Sequence, residues 1–346
     1  MNSRERVLRT LEFKETDRVP LDTGGREDDL MKHLNLNSYY ELYDFLGIDF
    51  RIIRLPASGN IPKRSCNGYE ANYWGVPLIC ESNGFGELCP LSEVSSVDEV
   101  ETYEWPKVDV FDYSTIAKQM DEYSIYYKNA VVWAPIFHDF TWMCGFENCL
   151  MLMMTEPEIT KAVLRRITDF WIDVTKRVLD AGHGKIDCVS NCNDFGTQRG
   201  LVMSPEKWRE FIKPELKRFY NIIKQYGARV FQHSCGSIVE IIPDLIELGA
   251  DILDPIQVMA ENMDPKNLVE KFGGKIVFHG GIDTQHVLPE GNEQEVRAEV
   301  RRIIRTLSSK GGYILCGSQG YMEDIPISNI VAMYDEAKKV KHKIII

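Results

Sequence analysis

Short apolar runs alternate with amphipathic stretches along most of the chain. Runs at 18–22, 49–55, 131–135, 185–190, 228–232, 251–255, 276–279 and 313–316 have the length and apolar content of buried strands. Between them, apolar residues recur near a 3.6-residue period. This predicts helices at 4–11, 28–46, 113–126, 140–154, 157–181, 204–226, 238–248, 265–272, 293–307 and 328–340. In 28–46 the period is carried by Leu30, Leu34, Leu42 and Leu46. At 204–206, Ser204 suits an N-cap and Pro205 the first helical position, with Glu206 following. The rhythm breaks at 62–90, which is rich in Gly, Asn, Tyr, Cys and Pro and reads as an irregular insertion with a β-hairpin near 69–82. With the connector that follows, the insertion spans about 59–110.

Strands that alternate with helices argue for a parallel sheet. Eight of them in 346 residues predict an α/β fold, a (β/α)8 TIM barrel forming a single domain over 1–346, with the insertion after the second strand. No G-x-G-x-x-G follows the first strand, which weighs against an open, doubly wound sheet.

Charge narrows the partners. A net charge of −12 argues against nucleic acid and anionic membrane and leaves small molecules and other proteins. The opening MNSRERVLRTLEF reads as a charged amphipathic helix rather than a signal peptide, and no apolar run approaches the roughly 20 residues of a membrane span. The nine cysteines follow no framework spacing, so a cytoplasmic protein with free thiols is expected. Cys66, Cys80 and Cys89 of the insertion lack metal spacing and read as ordinary thiols.

In a TIM barrel the chemistry collects at the C-terminal strand ends. The stretch FQHSCG places His233 and Cys235 there, two residues apart and hence on one side of an extended chain. A catalytic zinc takes three protein ligands and leaves one position open. Cys316, at the end of the last strand, is the best third ligand by chemistry; Gln319 is a poorer one. Asp194 could orient a ligand, bind substrate or act as a base. His279 could be a second histidine ligand, and reads equally well as a substrate contact or a structural histidine; His138 is similar. Arg26 could hold a carboxylate or phosphate, or be a solvated loop arginine. The aromatics Tyr69, Tyr73, Trp74, Phe85, Phe137, Phe140 and Trp142 suit a flat or apolar ligand, or packing of the rim.

A family resemblance appears on these same residues. NDFGTQRGLVMSPEKWREFIKPELKR, HSCGSIVEIIPDLIELGADILDPIQ, FHGGIDTQHVLP and DIPISNIVAMYDEA together resemble the uroporphyrinogen decarboxylase superfamily. The chain looks most like its corrinoid-linked methyltransferase branch, which includes coenzyme M methyltransferases and components of ether-cleaving O-demethylases. The match covers nearly all of the chain and is strong from about Asp187 onward. True decarboxylases carry R-Q-A-G-R-Y after the first strand, where this chain has DTGGREDDL with only Arg26 reminiscent of it. They carry F-S-D-I after the second strand, where this chain has RIIRLPASG, and a His where Gln319 stands seven residues before Pro326.

The resemblance implies a zinc ion bound by His233 and Cys235, with a third ligand, often Cys, after the last strand. Counting back from Pro326 puts that ligand at Gln319, whereas the thiol of this chain is three residues earlier at Cys316. The resemblance further implies transfer of a methyl group between a small methylated substrate and the cobalt of a separate corrinoid-binding protein. No D-x-H-x-x-G corrinoid motif is present in the chain. Asp194 and His279 are the expected catalytic residues and Arg26, Gln198 and His138 the expected substrate contacts. A homodimer is left open. The alternatives are a uroporphyrinogen-type decarboxylase and a non-catalytic ligand-binding barrel.

Overall fold

The computed structural model describes residues 1–341 and 344, apart from 60, 62, 67 and 80–87. Its strands are β1 (Phe50–Ile53), β2 (Arg64–Cys66), β3 (Tyr69–Ala71), β4 (Tyr127–Trp133), β5 (Cys188–Cys192), β6 (Arg229–His233), β7 (Ile252–Ile256), β8 (Val277–Ile282) and β9 (Tyr313–Gly317). Seven of them form one curled, all-parallel sheet in the order β1-β4-β5-β6-β7-β8-β9. Helices fill the crossovers, giving an α/β architecture.

The run at 18–22 is reduced to one parallel bridge, Leu21 to Leu315. Asp22 N–H donates to Leu315 O, Leu315 N–H to Pro20 O, and Asp49 N–H to Leu21 O, so the segment lies between β9 and the residue before β1. Two local features stop it from extending a ladder. Pro20 has no N–H, and Leu21 N–H goes to the Asp49 carboxylate at 2.9 Å rather than to a strand carbonyl. Asp49 is fully buried and is neutralised by Arg6 at 2.6 Å and Arg18 at 2.7 Å. An ionic knot thus stands where strand pairing was expected.

The helix expected at 28–46 is two helices, Glu27–Leu34 and Tyr39–Leu46. Asn35 ends the first in the left-handed region (φ 54°), and the Ser38 side chain caps the second by accepting from Glu41 N–H. The one expected at 140–154 starts earlier and splits into Ile136–Cys144 and Phe146–Thr155 at Gly145 (φ 85°). At 204–226, Ser204 caps Lys207 N–H as expected, but Trp208–Ile212 is a π turn before Lys213–Gln225. Pro214 has no N–H to continue the α ladder, and the widened turn absorbs that loss.

In the insertion, the hairpin pairs Arg64–Cys66 with Tyr69–Ala71, upstream of the 69–82 expected. Cys80, Phe85 and the end of the expected hairpin lie outside the described residues. The insertion is fastened by aromatic contacts. Trp74 packs edge-on against Phe170 at 4.8 Å, and Phe170 against Trp171 at 5.1 Å, both on the helix Pro157–Ala181. Burying such rings contributes about 25 cal/mol per Å², so Trp74, 2% exposed, holds the insertion firmly to the sheet's helical cover.

Candidate metal centre and flanking cavities

Parallel register sets the geometry of the site. Cys192, the last residue of β5, pairs with His233, the last residue of β6, and His233 pairs with Asp254 of β7. Adjacent strands lie about 4.8 Å apart, so these three side chains form one row at the C-terminal end of the sheet. Two short i, i+2 pairs then converge: Cys192 with Asp194, and His233 with Cys235.

The loop after β6 fits only because Gly236 has no side chain. Gly236 adopts φ 82°, and a Cβ there would lie 2.5 Å from the backbone carbon of Gly196. Its N–H donates to Gln257 at 2.7 Å. The bond ties the loop after β6 to the end of β7, and the approach to Gly196 seats it against the loop after β5. Cys235 N–H donates to Asp194 Oδ1 at 2.8 Å across the same junction.

His233 Nδ1 lies 2.5 Å from Asp254 Oδ2. Its Nε2 therefore faces the other groups, 3.4 Å from Cys235 Sγ and 3.5 Å from Asp194 Oδ1. The Cys192 thiol, an Asp194 carboxylate oxygen and a His233 ring nitrogen lie within 4.8 Å of one another, a spacing that suits a metal ion. Asp254 Oδ1 also lies 2.5 Å from His279 Nδ1, and His279 Nε2 is 3.2 Å from Asp22 Oδ2. Asp254 on β7 thus ties together the histidines of the strands on either side of it, β6 and β8.

The electrostatics follow from this chain of contacts. Burial opposes charge on His233, but Asp254 raises its pKa well above the ordinary value. Burial likewise opposes charge on His279, and Asp254 and Asp22 more than offset it, raising the pKa to about 9. Burial pushes Asp194 up, while His138, the Cys235 N–H and His233 pull it down to about 2. A carboxylate that weakly basic is suited to accept hydrogen bonds or coordinate, and poorly suited to abstract protons near neutrality. Burial pushes the Cys192 thiol up, and His233 partly offsets this.

The remaining expected residues separate into distinct settings. Cys316 is 4% exposed on β9, beside Tyr321, and burial pushes its thiol well up. Among the described residues neither it nor Cys235 belongs to the cluster of Cys192, Asp194 and His233, but Cys235 Sγ lies 3.4 Å from His233 Nε2. Gln319 Nε2 donates to Cys235 Sγ at 3.1 Å. His279 is buried against Phe231, ring centroids 5.0 Å apart, and anchors Asp254. Arg26 donates to Asp29 and to the carbonyls of Met322 and Ile325, so its guanidinium pins a neighbouring loop. His138 Nε2 is 3.5 Å from Asp194 Oδ2 and its ring lies against Trp142.

Two cavities flank the cluster. One of about 380 Å³ is lined by Gln198, Cys235, Gln257, Thr284 and Gln319. The other, about 400 Å³, is lined by Tyr73, Phe111, Trp133, His138, Trp142 and Cys192. Gln198 and His138 thus belong to opposite sides of the centre. Phe137 and Phe140 are buried and pack the structure rather than line either cavity.

Sequence reasoning gave neither Cys192 nor Asp254 a role. The expected strand at 185–190 stops short of Cys192, whereas β5 is Cys188–Cys192. Aligning the ends of adjacent parallel strands would have put Cys192, His233 and Asp254 in one row.

Comparison with known proteins agrees with the fold. The solved structure of a methyltransferase from Methanosarcina mazei superposes with a TM-score of 0.65 over 98% of this chain and 99% of that one, at 13% identity. The uroporphyrinogen decarboxylases of two Thermus thermophilus strains are each 25% identical over 130 residues. That match takes in 37% of this chain and 36% of each relative, so it spans about a third of their length. The profile of uroporphyrinogen decarboxylase (URO-D) matches residues 131–340, more than half of the chain. On that match, the chain belongs to the uroporphyrinogen decarboxylase (URO-D) family.

Proposed function

We propose that this protein is a zinc-dependent methyltransferase. It moves a methyl group between a small methylated substrate (a methyl ether, a methylamine, or a thiol or thioether) and the cobalt of a separate corrinoid protein. It does so on a TIM-barrel-like α/β fold that forms one domain over 1–346. The observation that carries this reading is the pairing of His233 Nε2 with Cys235 Sγ at 3.4 Å, with Nδ1 committed to Asp254. Imidazole and thiolate are the donors zinc prefers, and a carboxylate on the second imidazole nitrogen is the usual support for a ligating histidine. The fold it shares with a protein described as a methyltransferase is in keeping with this reading.

Zinc held by His233, Cys235 and a third donor from the rim would supply Lewis acidity toward the heteroatom that carries the methyl group. The chain's own residues do the rest. Asp254 holds His233 through Nδ1, so Nε2 faces the site and would give up its proton to a bound metal. Gln319 Nε2 donates to Cys235 Sγ and orients it. Asp194 holds the Cys235 backbone in place. The aromatic cavity excludes water from the methyl group. During transfer the bond from methyl to heteroatom breaks with its electron pair left on the heteroatom. The pair for the new carbon–cobalt bond comes from reduced cobalt of the partner.

No described helix is long and apolar enough to cross a membrane, and the reading places the enzyme in the cytoplasm beside its corrinoid partner. A second reading, decarboxylation, draws on the matched Thermus enzymes. The two separate on metal content and product. Purified protein with one zinc per chain, and no release of carbon dioxide from uroporphyrinogen, supports methyl transfer. Zinc-free protein that decarboxylates uroporphyrinogen overturns it.

A further inference from the structure

We propose that Cys192 supplies the third protein ligand of the zinc, in place of a thiol after β9; the assignment rests on the methyltransferase reading above. Four observations carry it. Cys192 and His233 are in register on adjacent parallel strands, and the Cys192 thiol, the His233 ring and the Asp194 carboxylate present ligand atoms within 4.8 Å of one another. In the segments C-x-D at 192–194 and H-x-C at 233–235, residues i and i+2 share a side of an extended chain, and the two segments meet at His233, whose Nε2 is 3.4 Å from Cys235 Sγ. After β9, Gln319 occupies its carboxamide as a hydrogen-bond donor to Cys235 Sγ rather than as a ligand. Cys316 lies one strand position inside the sheet, packed beside Tyr321, whose hydroxyl is bonded to that of Tyr334.

Asp194 is the alternative donor within the cluster, but it has other work. Its Oδ1 accepts the Cys235 N–H at 2.8 Å, and its Oδ2 faces His138 at 3.5 Å. Cys192, His233 and Cys235 then make a two-sulfur, one-nitrogen set, which leaves the fourth position open for substrate as catalytic zinc requires. The assignment also fixes where the metal stands. Cys192 lines the aromatic cavity and Cys235 the polar one, so the centre forms the partition between them. A methylated molecule seated among Trp133, Trp142 and Tyr73 would reach the centre from the Cys192 side.

The test uses the full chain as wild type, Cys192→Ala, Cys192→Ser and Cys316→Ala. Zinc affinity is read by competition with a chromophoric chelator, and thiolate count by the sulfur-to-metal charge-transfer band after Co²⁺ replacement. Wild type should bind one metal with two thiolates. Both Cys192 variants should lose roughly 100-fold or more in zinc affinity, about one ligand's share of a tight zinc site, and about half of the charge-transfer intensity. Cys316→Ala should match wild type in both. Should Cys192→Ala fail to fold, the near-isosteric Cys192→Ser carries the measurement. Undiminished charge-transfer intensity in the Cys192 variants, or its loss in Cys316→Ala, overturns the assignment while leaving the zinc reading intact. Wild type that binds no zinc overturns the methyltransferase reading and the assignment with it.

Discussion

Asp254 Oδ2 sits 2.5 Å from Nδ1 of His233, and this contact decides which face of the imidazole is available for chemistry. The carboxylate is buried; burial pushes its pKa up, but His279 and His233 together hold it well below the ordinary range. Removing the charge while keeping the shape should loosen the metal without unfolding the sheet. Asp254→Asn is expected to weaken zinc binding about 10- to 100-fold, the usual effect of losing a carboxylate behind a ligating histidine. Chelator competition measures it, and unchanged affinity would show that Asp254 is only a packing residue.

His279 makes the metal-free protein sensitive to alkali. Its pKa is raised from 6.5 to about 9 in the folded chain by Asp254 and Asp22, against the pull of burial. A histidine whose folded pKa exceeds its unfolded value contributes stability that is fully present below about pH 6.5 and is lost as pH rises through the folded pKa. The urea midpoint of zinc-free protein should therefore fall between about pH 7 and pH 10, and more steeply than in His279→Asn. Equal slopes in the two proteins would show that His279 carries no such charge.

The ionic knot at Asp49 should be a point of high sensitivity. Asp49 accepts from Arg6, Arg18 and Leu21 N–H with no exposure to solvent. Asp49→Ala removes the buried carboxylate shared by two guanidinium groups and a backbone N–H, leaving Arg6 only Asp17 and the Met1 carbonyl, and Arg18 only the Val19 and Gly47 carbonyls. Breaking a buried pair from one side typically costs about 3–5 kcal/mol, a large part of the roughly 5–15 kcal/mol that holds a domain together. Chemical denaturation should show a loss of this size; a loss under about 1 kcal/mol would mean that water or another donor replaces the pair.

Trp133 offers a way to probe the aromatic cavity without touching the fold. It is 58% exposed, stands at φ 65°, and follows a bulge in β4. The buried Asn193 braces the turn by accepting from Phe137 N–H and donating to Ala134 O. Trp133→Ala should leave stability within about 0.5 kcal/mol, as for other exposed positions, and leave zinc content unchanged. It should raise KM for the methyl donor about 10-fold, corresponding to roughly 1.4 kcal/mol of lost ring contact. A wild-type KM would place the donor in the other cavity.

The strand and helix rhythm was legible because the apolar runs are short and the helices amphipathic: the helix at 157–181 lies where the periodicity places it. The run at 18–22 misled because its Leu21 N–H bonds to a side chain, Asp49, from 28 residues away, a contact no local pattern encodes. His233 and Cys235 were visible as neighbours in sequence. Cys192 was not, because its relation to His233 is a matter of strand register. Arg26 reads as an anion-binding residue from its charge alone, yet its donors are spent on Asp29, Met322 and Ile325, and the last two are nearly 300 residues away.

Methyl transfer itself is tested most directly by following cobalt. Zinc-loaded protein is mixed under anaerobic conditions with a reduced corrinoid protein and a panel of methoxy, methylamino and methylthio compounds, and the absorbance of the corrinoid is recorded over time. The account predicts conversion of cobalt(I) to methyl-cobalt with at least one compound, and its abolition in His233→Ala and after zinc removal. Absence of methyl-cobalt across the panel, together with failure of the protein to pass methyl from methyl-cobalt to a thiol, would contradict it.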